Sequence, residues 1–119
     1  MEHMYLARKG ELEAENYLSA KGFTILERNW YHRQKELDLI AFDEDELVII
    51  EVKTRNAPAL DNPSMAIDRK KKRNLVIAAN AYAQKNRISK EVRFDVVWVV
   101  YRGEKATLDH IRNAFVPGL

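Results

Sequence analysis

Hydrophobic positions change their period several times along this chain, and each change marks an element. Over Arg8 to Lys21 the period is helical: Ala7, Glu11, Ala14 and Leu18 share one stripe, with Tyr17 and Lys21 beside it. Lys21-Gly22 ends this helix, glycine suiting its C-terminal cap. Phe23 to Trp30 reads as a strand, and Tyr31 to Lys35 as a polar link. Two apolar arms follow, Leu37 to Phe42 and Leu47 to Thr54, around the polar break Asp43-Glu44-Asp45-Glu46, which predicts a β-hairpin. Arg55 to Asn62 is a loop. A second helix is expected from near Pro63 to about Asn86, with Ala66, Leu75, Ala78, Ala79 and Tyr82 as its buried stripe. Arg93 to Tyr101 is a long apolar strand, and Leu108 to Phe115 a weak helical segment. The order α-β-β-β-α-β predicts one α/β domain over residues 1–119, a mixed α+β sheet flanked by helices. The hairpin strands would be antiparallel, and the second helix allows a parallel crossover to the last strand.

The hairpin carries the chemistry. A symmetric turn between Glu44 and Asp45 pairs residues whose numbers sum to 89, so Asp38 lies opposite Glu51, and Glu36 opposite Lys53. Alternation then projects all four from one face, with Leu37, Leu39, Val48, Ile50 and Val52 on the other. Opposed like charges destabilise a sheet. Two carboxylates about 5 Å apart repel by roughly 3 kcal/mol at an effective dielectric near 20. Both faces of these strands are otherwise apolar, which points to burial and to a need for a partner. A divalent cation fits, because hard cations prefer carboxylate oxygens. Lys53 could orient a nucleophile or neutralise a phosphate. The alternative is an exposed strand end, in which Lys53 pairs with Glu36 and the acids face water.

Composition narrows the setting. The chain has 119 residues, 46% hydrophobic and 32% charged, which fits a soluble globular protein. No apolar run approaches the roughly 20 residues that span a bilayer, and the N-terminus lacks the features of a secretory signal. No membrane role and a cytoplasmic setting are therefore expected. The absence of cysteine excludes disulfides and thiolate metal sites. Net charge is only +2, so the distribution of charge matters more than its total.

That distribution has one concentration. Asp68 to Arg73 carries five positive charges and one negative. Arg69, Lys70, Lys71, Lys72 and Arg73 make either a solvated helix face or a contact for a polyanion. Glu11 is anomalous on a stripe that should meet the core, although near a helix start it would also complement the dipole. Glu13 and Glu15 are expected in solvent. His3, His32 and His110 share no metal-ligand spacing; the first is expected at a mobile terminus, the others on the surface. Trp30 and Trp98 are expected in the core. Tyr31 could stack on a base, with packing as its expected role.

Several segments, in order, resemble a known family. Gly10-Glu11, Tyr17-Leu18 and Lys21-Gly22-Phe23 match its opening helix and turn, and Arg28-Asn29 the end of its first strand. Glu36 to Ala41 matches a motif written GEIDLIA, Ile50 to Arg55 matches VEVKTR, and Arg93 to Val97 matches RFDVV. The chain resembles the small bacterial YraN-like proteins, similar to archaeal Holliday-junction resolvases. Asp38, twelve residues, then Glu51-Val52-Lys53 also looks like the PD-(D/E)XK nucleases of restriction-endonuclease-like fold. Lys35 and Asp61 depart from the pattern, standing where glycines are common. The resemblance implies a metal-dependent endonuclease. Glu11, Asp38, Glu51 and the Val52 carbonyl would hold Mg²⁺ or Mn²⁺. Lys53 would position water or contact phosphate, with Glu36 as its ion-pair partner. Arg55 and the run Arg69, Lys70, Lys71, Lys72 and Arg73 would hold the nucleic acid, DNA being the expected polymer. A symmetric junction as substrate would imply a homodimer. The rivals are a non-catalytic nucleic-acid-binding module on the same fold and a domain whose basic helix docks an acidic protein.

Overall fold

The computed structural model describes residues 2–118, the side chain of Glu2 excepted. Helix α1 (Glu2–Ala20) precedes strands β1 (Thr24–His32), β2 (Lys35–Asp43) and β3 (Glu46–Asn56). A 3-10 turn (Pro63–Met65) leads to helix α2 (Arg69–Lys85), then to β4 (Glu91–Arg102) and β5 (Lys105–Phe115). The described strands form one mixed sheet in the order β1-β2-β3-β4-β5. β3 and β4 run parallel, joined by the α2 crossover, and the other neighbours are antiparallel.

Leu47, Val48, Ile49 and Ile50 of central β3 are all buried, which explains their unbroken apolar run. Ala14 and Leu18 of α1 cover one face, packing with Leu39, Ala41, Val48, Ile50, Val97 and Val99. Leu75, Ala78, Ala79 and Tyr82 of α2 cover the other, against Ile40, Leu47, Ile49 and Phe94. Helix α1 ends as expected: Gly22 takes φ +98°, its N–H donates to the Ser19 carbonyl, and the Phe23 N–H donates to that of Leu18.

The hairpin register is the one centred on Glu44 and Asp45, from Asp43–Glu46 to Leu39–Ile50. Its arms are longer than expected and its turn is two residues. The polar link after Trp30 is likewise a tight hairpin: β1 continues to His32 and β2 begins at Lys35.

Other expectations are corrected by tertiary contacts. Helix α1 starts well before Arg8, and Ala7 is exposed. Helix α2 starts at Arg69 because Asp68 caps it, accepting the Lys71 N–H at 2.8 Å, so Ala66 lies outside its stripe. Leu108 to Phe115 is not helical but belongs to edge strand β5, whose ladder with β4 supplies bonds that a short isolated helix lacks. Glu15 is not solvated: the Arg28 Nε donates to one of its oxygens at 2.6 Å and Nη2 to the other.

His110 is a core residue rather than a surface one. Its Nε2 lies 2.8 Å from Asp95, and its ring meets Tyr17 and Phe23 edge-on. Asp95 is 1% exposed and also accepts two bonds from Arg93 and the Asn113 N–H. Burial alone would raise the Asp95 pKa, but the bonds from His110, Arg93 and Asn113 hold it below the usual carboxylate range.

Tyr82 and Tyr101 are each pushed up to about 12, first by burial and then by the neighbouring Glu27 and Glu13. A raised tyrosine pKa contributes stability that is present below about 10 and lost as pH rises toward 12. An alkaline titration followed by ultraviolet absorbance is expected to show both phenols ionising late, together with the loss of helical circular dichroism.

Candidate functional site

Beyond the Leu39–Ile50 pair the β2–β3 ladder ends, and the strands separate where the charged residues begin. Asp38 fills the gap. Its Oδ2 accepts the Val52 N–H at 2.9 Å, replacing a ladder bond with a side-chain bond. Leu37 consequently turns to the α2 face with Ile40 and not, as strict alternation predicts, to the face of Leu39. The local change of course brings Asp38 beside Glu51.

Both carboxylates are nearly enclosed, Asp38 at 9% exposure and Glu51 at 3%. Lys53 and Lys71 reach Glu51 Oε2 from 3.5 and 3.4 Å. Glu51 Oε1 is buried with no hydrogen-bond partner. Burial, with the Glu51 charge next in weight, raises the Asp38 pKa well above its usual value. The exposed-end alternative is thereby overturned. So is the pairing of Glu36 with Lys53, since Lys53 turns to Glu51 and Glu36 to Asn29.

Glu11 approaches from α1 but is held to one side. The Asn29 amide donates to Glu11 at 3.1 Å and to Glu36 at 2.9 Å, so one NH₂ group bridges two like charges. Burial, opposed by that bond, raises the Glu11 pKa, and the Glu36 charge adds to the rise. Asn29 has φ +48°, a left-handed conformation that asparagine tolerates, and it lies between the Arg28–Leu39 and Trp30–Leu37 pairs. Among the described residues no three of His, Cys, Asp and Glu converge closely enough to cage a metal. Two carboxylates, one oxygen still without a hydrogen bond, could hold only part of the shell of a hard cation, the rest falling to water.

The model of the uncharacterised protein family UPF0102 matches residues 10–99, a span containing Glu11, Asp38, Glu51, Lys53 and Lys71. This chain belongs to UPF0102. Proteins of that family from Parabacteroides distasonis and Bacteroides thetaiotaomicron are similar to it. The first is 44% identical over 92% of this chain and 91% of its own length, the second 42% over 99% and 98%. A third relative, from Phocaeicola vulgatus, is 40% identical over 98% and 96%. The resemblance to YraN-like proteins holds at the level of this family.

In this UPF0102 chain the expected nucleic-acid contacts divide. Lys71 turns inward to Glu51. Arg69, Lys70, Lys72 and Arg73 stay exposed on the first turns of α2. Arg69, Lys72 and Arg73 also border a groove floored by Val76 and Phe115. Arg55 is partly exposed but already paired: its Nη2 lies 3.0 Å from Asp61, and its guanidinium sits 5.3 Å from the Trp98 ring centre. Asp61, a departure from the family pattern, thus anchors the loop after β3.

Sequence reasoning missed the bridging role of Asn29, although the signal was present. A symmetric turn at Arg33-Gln34 pairs residues summing to 67, which sets Asn29 opposite Asp38. Lys71 had a sequence signal, since it falls where the resembled family has a lysine opening its second helix and lies four residues before Leu75 on the buried stripe of α2.

Proposed function

We propose that this protein is a metal-dependent nuclease of restriction-endonuclease-like type that hydrolyses phosphodiester bonds in nucleic acid, with DNA, including branched DNA, as the polymer. The observation that carries the reading is the buried Asp38–Glu51 pair, left with one unpartnered oxygen where two lysines converge. Burying such an oxygen without a hydrogen bond is unfavourable, and a cation shared with Asp38 would satisfy it.

Asp38 and Glu51 would hold Mg²⁺ or Mn²⁺, with the Val52 carbonyl adjacent, and Glu11, tied to Asn29, would stand beside them without completing the shell. Such a cation, when bound, polarises a phosphoryl oxygen and makes water more acidic. The remaining work belongs to the side chains. Lys53, half-buried beside Glu51, would donate to a phosphate oxygen or orient the attacking water. Lys71 would neutralise charge developing on the phosphate. Asn29 keeps Glu11 and Glu36 in place so that neither intrudes on the pair. The basic first turns of α2 oppose the helix dipole, an arrangement that favours an anion at that end. Their phosphate contacts would add affinity without sequence preference.

A second reading, a binding module without turnover, draws support from Lys53 and Lys71, which offset the Glu51 charge without any metal. A cleavage assay separates the two. Wild type and Asp38→Asn are incubated with labelled duplex, flap, four-way junction, single-stranded DNA and RNA, in Mg²⁺, Mn²⁺ or EDTA. Asparagine keeps an oxygen for the Val52 N–H, so the variant tests charge rather than folding. Metal-dependent cutting by wild type alone is the expected result. Equal salt-sensitive binding by both proteins with no cutting would favour the binding module.

A further inference from the structure

Tyr31 lies outside both apolar clusters, with its hydroxyl toward Glu36. Its side chain is 58% exposed at the end of β1, whereas neighbouring Trp30 packs edge-on against Tyr82 at 5.0 Å. The ladder partner of Tyr31 is Glu36, which shares the Asn29 amide with Glu11. The ring therefore stands at the rim of the carboxylate site. Next to it the hairpin tip presents exposed Arg33, and a shallow cleft of about 540 Å³ opens between the tip and α2, bordered by Trp30, Gln84 and Lys85. An exposed aromatic ring on a rigid two-stranded element, set beside the Glu36, Asp38 and Glu11 carboxylates and two residues from the exposed cation Arg33 at the hairpin tip, can serve as a stacking platform.

We propose that Tyr31 stacks on an unpaired base beside the phosphodiester held at Asp38, Glu51 and Lys53, so that the preferred substrate carries unpaired nucleotides at the cut. Bases inside an uninterrupted duplex already have both faces covered. A ring fixed on a hairpin reaches such a face only when the base leaves the stack, which is easiest where it is already unpaired. Stacking on an aromatic ring is worth about 1–3 kcal/mol per base and tolerates any sequence. Arg33 and Lys85 would take the flanking phosphates. The inference rests on the nucleic-acid reading of the site but not on turnover.

The test uses an oligodeoxynucleotide carrying 2-aminopurine, as a single strand and as a blunt duplex, in EDTA so that nothing is cut. Wild type, Tyr31→Phe and Tyr31→Ala are compared by fluorescence quenching and anisotropy at low salt. Wild type and Tyr31→Phe are expected to quench the probe in the single strand. Tyr31→Ala is expected to lose the quenching and roughly tenfold or more in single-strand affinity. Duplex affinity should be alike in all three. Unchanged single-strand binding by Tyr31→Ala would overturn the role of the ring, as would equal losses on single strand and duplex. If wild type binds neither form, this inference and the nucleic-acid reading fail together. If wild type binds and Tyr31→Ala matches it on both forms, only the tyrosine assignment falls.

Discussion

Glu51→Gln and Asp38→Asn are each expected to erase stabilisation by Mg²⁺ or Mn²⁺ and to lower cleavage roughly a hundredfold or more, since such a cation supplies several kcal/mol of charge stabilisation. The metal-free fold should survive both changes. Glutamine keeps the volume of Glu51 and removes a buried charge, while asparagine keeps the acceptor for the Val52 N–H. The sign of the pH effect follows from Asp38, whose folded-state pKa is raised by burial and by the Glu51 charge. A carboxyl raised in this way contributes stability that is full below its unfolded pKa and lost as pH rises through the folded value. Without metal, wild type should therefore lose stability relative to Asp38→Asn as pH climbs from the acid range toward neutrality, while Asp95, held low, acts with the opposite sign in both proteins. A cation that binds only the folded state adds about 2.7 kcal/mol at a hundredfold excess over its Kd. Thermal melts across pH, with and without Mn²⁺, check all of this. A wild-type melting curve indifferent to Mg²⁺, Mn²⁺ and pH would leave the carboxylate pair without its proposed occupant.

Gly10→Ala is expected to be the most damaging single methyl group that can be added to α1. Gly10 packs its backbone directly on β3: an alanine Cβ there would lie 2.8 Å from both Thr54 Cβ and Cγ2, and closer still to Oγ1. No rotamer of Thr54 removes its Cβ, so helix and strand must separate. Overpacking of this kind costs about 1–3 kcal/mol or more, and a melting temperature lower by roughly 10 °C is expected. The displacement also carries Glu11, the next residue along α1, away from Asn29 and the carboxylates, so activity should fall beyond what lost stability explains. Thr54→Ala removes Oγ1 and Cγ2 and should recover part of the loss in the double variant, whereas independent sites would simply add. Circular dichroism melts of the two single variants and the double variant decide this.

Some of this site was legible in the chain and some was not. Asp38, Glu51 and Lys53 could be found because a symmetric turn and strict alternation convert residue numbers into neighbours, and because paired acids between apolar runs need explaining. The same rule failed one step later, at Leu37, where the ladder stops and a side-chain bond from Asp38 replaces it. Glu36 and Lys53 were assigned to each other by that rule, and each found a different partner. His110 looked like a surface histidine because its partner Asp95 lies on another strand, and β5 looked weakly helical because strand pairing is paid back only once β4 is in place.

Family, strand–helix order up to β4 and hairpin register were readable from the chain alone, as were the Asp38 and Glu51 acids that meet beside Val52. These follow from local periodicity, turn composition and motif spacing, which act over a few residues. Tertiary structure alone decided that Lys71 rather than Glu36 completes the charge around Glu51 and Lys53, that Asn29 bridges Glu11 and Glu36, and that Tyr31 stands exposed at the rim beside Glu36. Those outcomes depend on where α1, α2 and the β1–β2 hairpin come to rest against the separating strands. Packing sets that placement, because electrostatic and hydrogen-bonding partners are chosen by distance in space, and distance along the chain does not encode it.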